Sequence, residues 1–366
     1  MSSSNTFNID LVARTMQKSL LNPFLTIPIA IAISWPSNCY RVPSPYLEIL
    51  ERSRAVVYTV TILSVVLAVT DFLNHGFHNN WTKSSNWKWH DEVVVITGGS
   101  SGIGASVAQQ LYSRNRQTKI VIVDYVPLTW KPPNGSLIHY YQCDLSNSAN
   151  IRPLCDRIRN EIGHPTVLIN NAGLCRGFTV CDGSYADVEI TIRTNLIAPF
   201  LLVKEFLPEM ALRDHGHIFQ ISSMSALLPP ARVADYAATK AGLMALHEAL
   251  QLELKNIHNA PRVRSSVAIL SFVRTPLFKG ETKQSQFFFP LLDVETVSTA
   301  IVQTLYSGYG KVLFLPGIMR YVAILKGGPE WLWHVVREGT KQLGVDFKGR
   351  QKIDSKTGDL LGSCTK

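Results

Sequence analysis

Residues 93–104 read Val-Val-Val-Ile-Thr-Gly-Gly-Ser-Ser-Gly-Ile-Gly. Four apolar residues lead into a glycine-rich turn, which is typical of a buried parallel strand that enters a helix. In such a turn Gly98 permits the tight bend, Gly102 lets the backbone approach a pyrophosphate, and Gly104 lets the helix pack on the strand. The free N–H groups and the positive dipole end of the helix would then face a phosphate. The stretch therefore predicts a dinucleotide-binding turn.

An acidic residue, Asp124, ends the next apolar run, twenty positions after Gly104. At that place a carboxylate binds the ribose 2′-hydroxyl of NAD and repels the additional phosphate of NADP. The alternative is an aspartate that only shapes the turn after a strand, a common role for this residue. Neither Ser101 nor Tyr125 offers the cation that a 2′-phosphate would need, so the sequence favours NAD over NADP.

From Glu92 onward, short apolar runs alternate with helical stretches such as residues 102–112 and 235–255. This alternation predicts an α/β fold of the Rossmann type, in which a doubly wound parallel sheet is the middle of three α/β/α layers. The apolar runs of strand length are residues 93–96, 120–123, 167–169, 218–221 and 267–270.

A tyrosine and a lysine, Tyr236 and Lys240, have the i, i+4 spacing that places two side chains on one face of a helix. An isolated tyrosine has a pKa of ~10, and a neighbouring ammonium group would lower it toward the range useful for proton transfer. Ser223, thirteen residues before Tyr236, could donate a hydrogen bond to a substrate oxygen, whereas the adjacent Ser222 is expected to pack. A tyrosine–lysine pair at this spacing, taken alone, belongs more often to a solvent-exposed helix face than to a catalytic site. The presence of Ser223 and of the glycine turn favours the catalytic site.

Taken in order, these motifs resemble the short-chain dehydrogenase/reductase family over residues 92–315. The catalytic residues that the resemblance implies are Asn195, Ser223, Tyr236 and Lys240. By the same resemblance Asn195 would hold a water that links Lys240 to solvent, and Tyr236 and Lys240 would also contact the cofactor. The other cofactor-binding residues that it implies are Thr97, Gly98, Ser100, Ser101, Gly102, Ile103, Gly104, Asp124, Asp144, Leu145, Asn171, Ala172, Gly173, Val273 and Thr275.

The chain departs from the family in one loop. The family usually has Pro-Gly shortly before a threonine that holds the nicotinamide carboxamide. Here Thr275 is retained, but Leu270 and Ser271 replace the Pro-Gly pair. Because serine does not adopt a positive φ as readily as glycine, the loop is expected to have a different conformation.

Residues 1–90 are expected to form a membrane-anchoring region with a linker. Residues 8–20 have an amphipathic helical stripe, residues 19–40 are uncharged but interrupted by prolines, and residues 55–70 are a charge-free run. A spanning helix needs about 20 apolar residues, and the charge-free run is slightly shorter than that. Three interpretations therefore stay open: a spanning helix, a hairpin in one leaflet of the membrane, and a buried core helix. Tryptophans 81, 87 and 89 predict an interfacial linker.

Composition and charge restrict the partners. Only 17% of the 366 residues are charged, below the roughly 25% of soluble domains, which indicates apolar segments beyond an ordinary core. The formal net charge is +9, with a local excess in the amphipathic, basic tail of residues 317–366. We therefore expect an anionic membrane surface rather than nucleic acid as a partner. The six cysteines lack metal-ligand spacing, which predicts reduced thiols and no metal site.

The anchor and the tail resemble the membrane- or lipid-droplet-bound branch of the family, whose members act on retinoids, steroids and long-chain alcohols. The resemblance implies an NAD-dependent dehydrogenase of a lipophilic substrate at the endoplasmic reticulum or a lipid droplet. Its catalytic domain, residues 91–316, would face the cytosol, and a homodimer through the helices with Asn195 and Tyr236 would fit the family. Aromatic residues 287–289 would line its pocket or pack against the last helix.

Two alternatives to this function stay open. One is an NADPH-dependent keto-lipid reductase of the ketosphinganine type, against which Asp124 argues. The other is a non-catalytic lipid-binding scaffold, against which the complete set of four catalytic residues argues.

Overall fold

The apolar runs after Glu92 form a seven-stranded parallel sheet in the computed structural model of the chain. The first eight strands of the chain are β1 (Val93–Thr97), β2 (Lys119–Asp124), β3 (Ile138–Gln142), β4 (Val167–Asn170), β5 (His217–Ser223), β6 (Arg264–Leu270), β7 (Gly280–Thr282) and β8 (Val312–Leu315). All of them except β7 belong to this sheet. Their spatial order is β3-β2-β1-β4-β5-β6-β8. The order reverses between β1 and β4, which creates a crevice at the carboxyl ends of these two strands.

The structure describes residues 8–34, 44–84, 86–277, 280–282, 284–287, 289–343, 345–347, 352–353 and 360–361. These residues divide into two units, one of residues 8–81 and one that begins at Thr82. The second unit thus begins earlier than residue 91, where the sequence suggested a boundary. Two short antiparallel pairs also belong to it, namely β7 with β9 (Val345–Phe347) and β10 (Lys352–Ile353) with β11 (Leu360–Leu361).

Helices cover both faces of the sheet, which confirms the doubly wound, three-layer fold. Leu111 and Ile301 pack against one face, and Leu202 and Leu250 pack against the other. The helices of the chain are α1 (Ile9–Lys18), α2 (Pro23–Ser34), α3 (Ser44–His78), α4 (Gly102–Arg114), α5 (Ile151–Glu161), α6 (Tyr185–Ile192), α7 (Ala198–Leu212), α8 (Ala234–Asn256), α9 (Val294–Ser307), α10 (Met319–Leu325) and α11 (Glu330–Glu338).

All five predicted strands are present, but β3 and β8 lie outside the predicted runs. They are the two edge strands of the sheet, and β3 has the partly polar sequence Ile-His-Tyr-Tyr-Gln. An edge strand is covered less completely than a central one, and most residues of both strands are half-buried or exposed. The continuous apolar signal that marks a central parallel strand is therefore weak in these two.

The first unit consists of α1, α2 and α3. Helix α2 packs on α3, where the hydroxyl oxygens of Thr26 and Ser64 are 2.8 Å apart. Pro28 lies inside α2 and does not end it, contrary to the expectation that prolines break this region. Helix α3 also extends beyond its charge-free run at both ends. Residues 52–78 are long and apolar enough to cross a membrane, with a mean hydropathy of 2.1 over their most apolar stretch.

Two of the three tryptophans expected in an interfacial linker belong instead to the core of the second unit. The ring of Trp89 stacks on Tyr306 with centroids 4.0 Å apart, and the Trp87 ring lies 4.3 Å from the ring of His215. Only Trp81 belongs to the first unit. The interfacial interpretation is therefore wrong for Trp87 and Trp89, since a tryptophan-rich segment of this length can also be held by a protein surface.

Arg264, at the start of β6, holds the beginning of the second unit in place. This side chain is almost completely buried, and its guanidinium group donates to the main-chain oxygens of Thr82, Lys83, Pro261 and Gly308 at 3.1–3.3 Å. It also donates to the hydroxyl of Thr82 at 3.1 Å. A planar fork with five donors suits such a set of carbonyl oxygens, which a lysine could not satisfy together.

Replacing Arg264 with methionine is expected to lower the free energy of unfolding by about 3 kcal/mol, because several buried carbonyl groups lose their donor. Arg262→Met is the matched control, because Arg262 is half exposed and pairs with Asp214 at the surface, an interaction worth ~0–1 kcal/mol. Urea denaturation of the full chain in detergent measures both. Equal losses in the two variants would contradict this role of Arg264.

Candidate active site

The glycine turn between β1 and α4 is as tight as the sequence predicts. Gly98 and Gly102 have φ values of +67° and +56°, a region that favours glycine. A Cβ atom on Gly104 would lie 2.4 Å from the main-chain oxygen of Gly98, and one on Gly98 would lie 2.8 Å from Cα of Ala172. The turn, the start of α4 and the end of β4 are therefore in contact at atoms that leave no room for side chains.

A cavity of about 510 Å³ opens at the carboxyl ends of the strands, beside this turn. Most of the residues predicted to bind a cofactor line it. They are Gly98, Ser101, Gly102, Ile103, Asp124, Asp144, Leu145, Asn171, Ala172, Gly173, Val273 and Thr275, together with Ser223, Tyr236 and Lys240 of the predicted catalytic set.

Four predicted site residues, Thr97, Ser100, Gly104 and Asn195, do not line the cavity. The hydroxyl of Thr97 accepts hydrogen bonds from the main-chain N–H groups of Asn171 and Ala172, both at 3.0 Å, and so joins the ends of β1 and β4. The hydroxyl of Ser100 donates to the main-chain oxygen of Val126 at 2.8 Å. These two side chains brace the turn and do not line the cavity.

The carboxylate of Asp124 shapes the turn after β2 and also lines the cavity. One of its oxygens accepts from the main-chain N–H of Ser100 at 2.9 Å, and the other accepts from that of Val126 at 3.3 Å. These bonds fix the turn after β2, yet the carboxylate also lines the cavity and keeps lone pairs for another donor. Among the described lining residues the only cationic side chain is that of Lys240.

Ser223, Tyr236 and Lys240 meet at the other end of the cavity. Tyr236 and Ser223 form a side-chain hydrogen bond. The Lys240 ammonium group lies 5.5 Å from the centre of the Tyr236 ring and donates to the main-chain oxygen of Ile221 at 2.8 Å. Ser222 is buried and donates to the main-chain oxygen of Lys240 at 2.9 Å, so it positions α8 against β5.

Burial controls the protonation of the pair. It raises the pKa of Tyr236 well above its ordinary value, a thiolate at Cys175 would act in the same direction, and the hydrogen bond with Ser223 lowers the pKa. Burial also lowers the pKa of Lys240 to about 8, which the nearby Cys175 partly opposes. The expectation that Lys240 lowers the pKa of Tyr236 is therefore wrong for this structure, because the ammonium group is desolvated and directed at a main-chain oxygen.

Asn195 lies in one turn of π-helix, residues 193–197, between α6 and α7. Its side-chain oxygen accepts from the N–H of Leu174, and its side-chain nitrogen donates to the oxygen of Leu174, both at 2.8 Å. The same nitrogen donates to Thr239 of α8 at 3.3 Å. Both amide hydrogens are thus used within the protein, and the side chain ties the loop after β4 to the catalytic helix.

Sequence comparison agrees with this geometry. The profile of the family described as short chain dehydrogenase matches residues 92–286. The chain belongs to the short-chain dehydrogenase family. It is therefore an oxidoreductase that acts on CH–OH groups and uses a nicotinamide dinucleotide.

Individual relatives refine the place of the chain in the family. "Dehydrogenase RED2" of Cochliobolus heterostrophus is 31% identical over 68% of this chain and 96% of its own length. "Short-chain dehydrogenase/reductase 3" of Homo sapiens is 30% identical over 64% of this chain and 78% of its own length. "Epidermal retinol dehydrogenase 2" of Mus musculus is 26% identical over 64% of this chain and 77% of its own length. The chain is thus in the retinol dehydrogenase-like branch.

A solved structure has the same fold. It is "4-hydroxyisoleucine dehydrogenase complexed with NADH", which covers 61% of this chain and 97% of its own length with a TM-score of 0.52. At 22% sequence identity the likeness concerns the fold alone.

The residues of this short-chain dehydrogenase fit a dinucleotide. Gly98 and Gly102 leave a surface without side chains at the amino end of α4, where free N–H groups favour a pyrophosphate. A Cβ on Gly102 would lie 3.5 Å from Cγ2 of Thr275, so the added atom would fill part of the space between α4 and the loop after β6. Asp124, Leu145, Lys240 and Thr275 all line the same cavity.

The loop in which this chain departs from its family is anchored without strain. Ser271 extends the pairing of β6, because its N–H donates to the main-chain oxygen of Leu315 at 2.8 Å, and its φ is not positive. Val273 forms a bridge with Leu292, which holds the loop on its other side. The loss of Pro-Gly is thus compensated by backbone pairing, and Val273 and Thr275 still reach the cavity.

The apolar wall beyond Ser223, apart from Phe289, is the part of the site that sequence patterns missed. It consists of residues from well-separated segments, which no spacing rule connects. They include Cys175, Met224, Leu228, Leu277, Phe289 and Leu343. Of the aromatic residues at 287–289, Phe289 both lines the cavity and packs near α10, whereas Phe288 lies outside the described residues.

Four of the six cysteines lie in the part of the chain that the structure describes. Cys143, Cys155, Cys175 and Cys181 are free cysteines. Burial raises the pKa of Cys143 to about 11 and that of Cys175 to about 12, so both thiols in the cavity are protonated near neutral pH. Within the described ranges no group of His, Cys, Asp or Glu side chains could hold a metal ion.

The buried Lys240 is expected to make stability rise with pH in the enzyme without cofactor. Its pKa is about 8 in the folded chain and 10.5 ordinarily, so in this window the unfolded chain binds more protons and the folded state gains as pH rises. Between pH of about 7 and about 9.5, the wild type should gain about 2 kcal/mol over Lys240→Met. Above a pH of roughly 10 the raised pKa of Tyr236 reverses the trend.

Urea denaturation at the two pH values measures this difference. Lys255→Met serves as the control, because Lys255 is an exposed lysine on the same helix. If Lys240→Met and Lys255→Met show the same pH dependence, Lys240 is not a desolvated cation in the folded protein.

Proposed function

We propose that the protein transfers a hydride between NAD(H) and the alcohol or carbonyl group of a lipophilic substrate, such as a retinoid, a steroid or a long-chain lipid. The observation that carries the proposal is the meeting of Ser223, Tyr236 and Lys240 in one cavity with a glycine turn at one end and an apolar wall at the other. A scaffold that only binds lipid has no physical need for this polar group.

Residues of the cavity such as Asp124, Lys240 and Thr275 would hold the dinucleotide, which would supply the hydride acceptor for oxidation of the alcohol or the hydride donor for reduction of the carbonyl group. The hydroxyl of Ser223 donates a hydrogen bond to the substrate oxygen, which stabilises the charge that develops there. The phenol of Tyr236 gives its proton to that oxygen in reduction and takes it back in oxidation. Burial keeps this proton on Tyr236, so the resting site is ready for the reductive direction.

Lys240 and Asn195 support the proton transfer in different ways. With cofactor and substrate bound, the Lys240 ammonium group, 5.5 Å from the centre of the Tyr236 ring, would favour the phenolate as its proton leaves, a contribution that the enzyme without cofactor does not show. Asn195 acts through Thr239, whose hydroxyl donates to the main-chain oxygen of Tyr236 at 2.7 Å. In this interpretation Asn195 positions the catalytic helix, and its side chain does not carry the water that the family resemblance implied.

NAD is the proposed coenzyme because Asp124 places a carboxylate at the end of β2 and no described cation lies near it in the cavity. The 2′-phosphate of NADP would meet that negative charge without a compensating arginine or lysine. An NADPH-dependent keto-lipid reductase remains the second candidate, on the same catalytic residues and the same apolar wall.

The lipophilic substrate is supported by the wall of Met224, Leu228, Phe289 and Leu343 and by the relatives named retinol dehydrogenase. Residues 52–78, which have the length and composition of a membrane span, support attachment of this enzyme to a membrane. We place it at the endoplasmic reticulum or a lipid droplet with the catalytic unit on the cytosolic side.

Tyr236→Phe tests the function because it removes a single hydroxyl group. We expect a loss of about 10²- to 10⁴-fold in kcat/KM with retinol, a hydroxysteroid or a long-chain alcohol, whichever the wild type oxidises with NAD. Binding of NADH, followed by nicotinamide fluorescence, should be unchanged. Tyr185→Phe is the control, because Tyr185 is fully accessible on α6. Unchanged turnover in Tyr236→Phe would overturn the proposed mechanism.

A further inference from the structure

The segment from α10 to α11 carries three large apolar side chains on its surface. Ile324, Trp331 and Val335 are 69%, 70% and 62% exposed, and together they are called the C-terminal apolar face. Trp331 and Val335 are four residues apart and therefore adjacent on one side of α11. Exposed apolar residues scattered singly need no explanation, but a tryptophan within a group of them marks an interaction surface.

The charges around this face are mainly positive. Residues 319–343 contain four cationic side chains, Arg320, Lys326, Arg337 and Lys341, and two acidic ones, Glu330 and Glu338. Glu338 is paired with Lys341, which neutralises one charge of each sign, so the cationic excess of the segment is unchanged. Exposed apolar side chains that include a tryptophan, within a segment that has an excess of arginine and lysine, are typical of elements that lie on an anionic membrane surface.

The same segment forms part of the cavity wall on its inner side. Val322 of α10 packs in one cluster with Met224 and Phe289, both of which line the cavity. Leu343, five residues after α11 ends, is buried and also lines it. The C-terminal apolar face thus belongs to the segment whose last residue, Leu343, lines the cavity.

We propose that the C-terminal apolar face docks on an anionic phospholipid surface and delivers lipophilic substrate from the lipid to the apolar end of the cavity. The proposal rests on the proposed function for its substrate, but the docking itself does not. A phospholipid surface is favoured over a second copy of the chain because the segment has more cationic than acidic side chains, which an anionic surface attracts and an identical copy repels.

Docking is tested on the full chain reconstituted into phosphatidylcholine vesicles with or without phosphatidylserine. Amide hydrogen exchange of residues 319–343 is compared in vesicles and in detergent. Slower exchange with phosphatidylserine is expected, and Trp331→Ser/Val335→Ser should abolish it. Leu212→Ser/Ile257→Ser is the matched control, because these two residues are also apolar and exposed, at 82% and 69%. It should keep the protection.

Delivery is tested by kinetics with two substrates. The Trp331→Ser/Val335→Ser variant should raise KM several-fold for retinol dissolved in the vesicles. With a short water-soluble alcohol, its kcat/KM should equal that of the wild type, because the catalytic residues are unchanged. The control variant should match the wild type with both substrates.

Three results would overturn the inference. Exchange of residues 319–343 that is the same with and without vesicles excludes docking on lipid, and protection that depends only on protein concentration identifies a second copy as the occupant. Equal protection without phosphatidylserine contradicts the role of the cationic residues. If the wild type oxidises neither substrate, the proposed function fails, and the exchange experiment still decides the docking.

Discussion

The hydrogen bonds that join the ends of β1 and β4 are the constraint on which the rest of this structure depends. The hydroxyl of Thr97 accepts from two N–H groups after β4, and the amide of Asn171 donates back to the oxygens of Thr97 and Gly98. This tie holds the glycine turn against β4 at the point where the strand order reverses. The amino end of α4 consequently faces an open crevice in which a phosphate can meet free N–H groups.

The catalytic end of the crevice is governed by desolvation. Burial alone would keep Tyr236 protonated and would favour neutral Lys240, so neither group is tuned by the other in the enzyme without cofactor. Proton transfer at neutral pH therefore needs the polar contacts that the substrate and the cofactor bring to the cavity. The apolar wall beyond Ser223 sustains this desolvation and at the same time suits a lipophilic substrate.

The sequence predicts the central strands, the glycine turn and the positions of Tyr236 and Lys240, because each depends on local spacing. Spacing does not tell on which side of a backbone a residue is needed, and the hydroxyl of Thr97 joins the ends of two strands without lining the cavity. The edge strand β3 and the apolar wall with Met224 and Leu343 could not be predicted. Edge strands carry a weak apolar signal, and the wall is assembled from segments far apart in the chain.

The central claim is that the carboxylate of Asp124 in the crevice favours NAD over NADP, and that Tyr236 transfers the proton in the same crevice. Its most direct test is the affinity of the detergent-solubilised full chain for NADH and NADPH, measured by nicotinamide fluorescence for the wild type and Asp124→Ala. The account predicts tighter binding of NADH by the wild type and loss of that preference in the variant, with a thermal unfolding curve to verify folding. Tighter binding of NADPH by the wild type, or binding of neither, would contradict it.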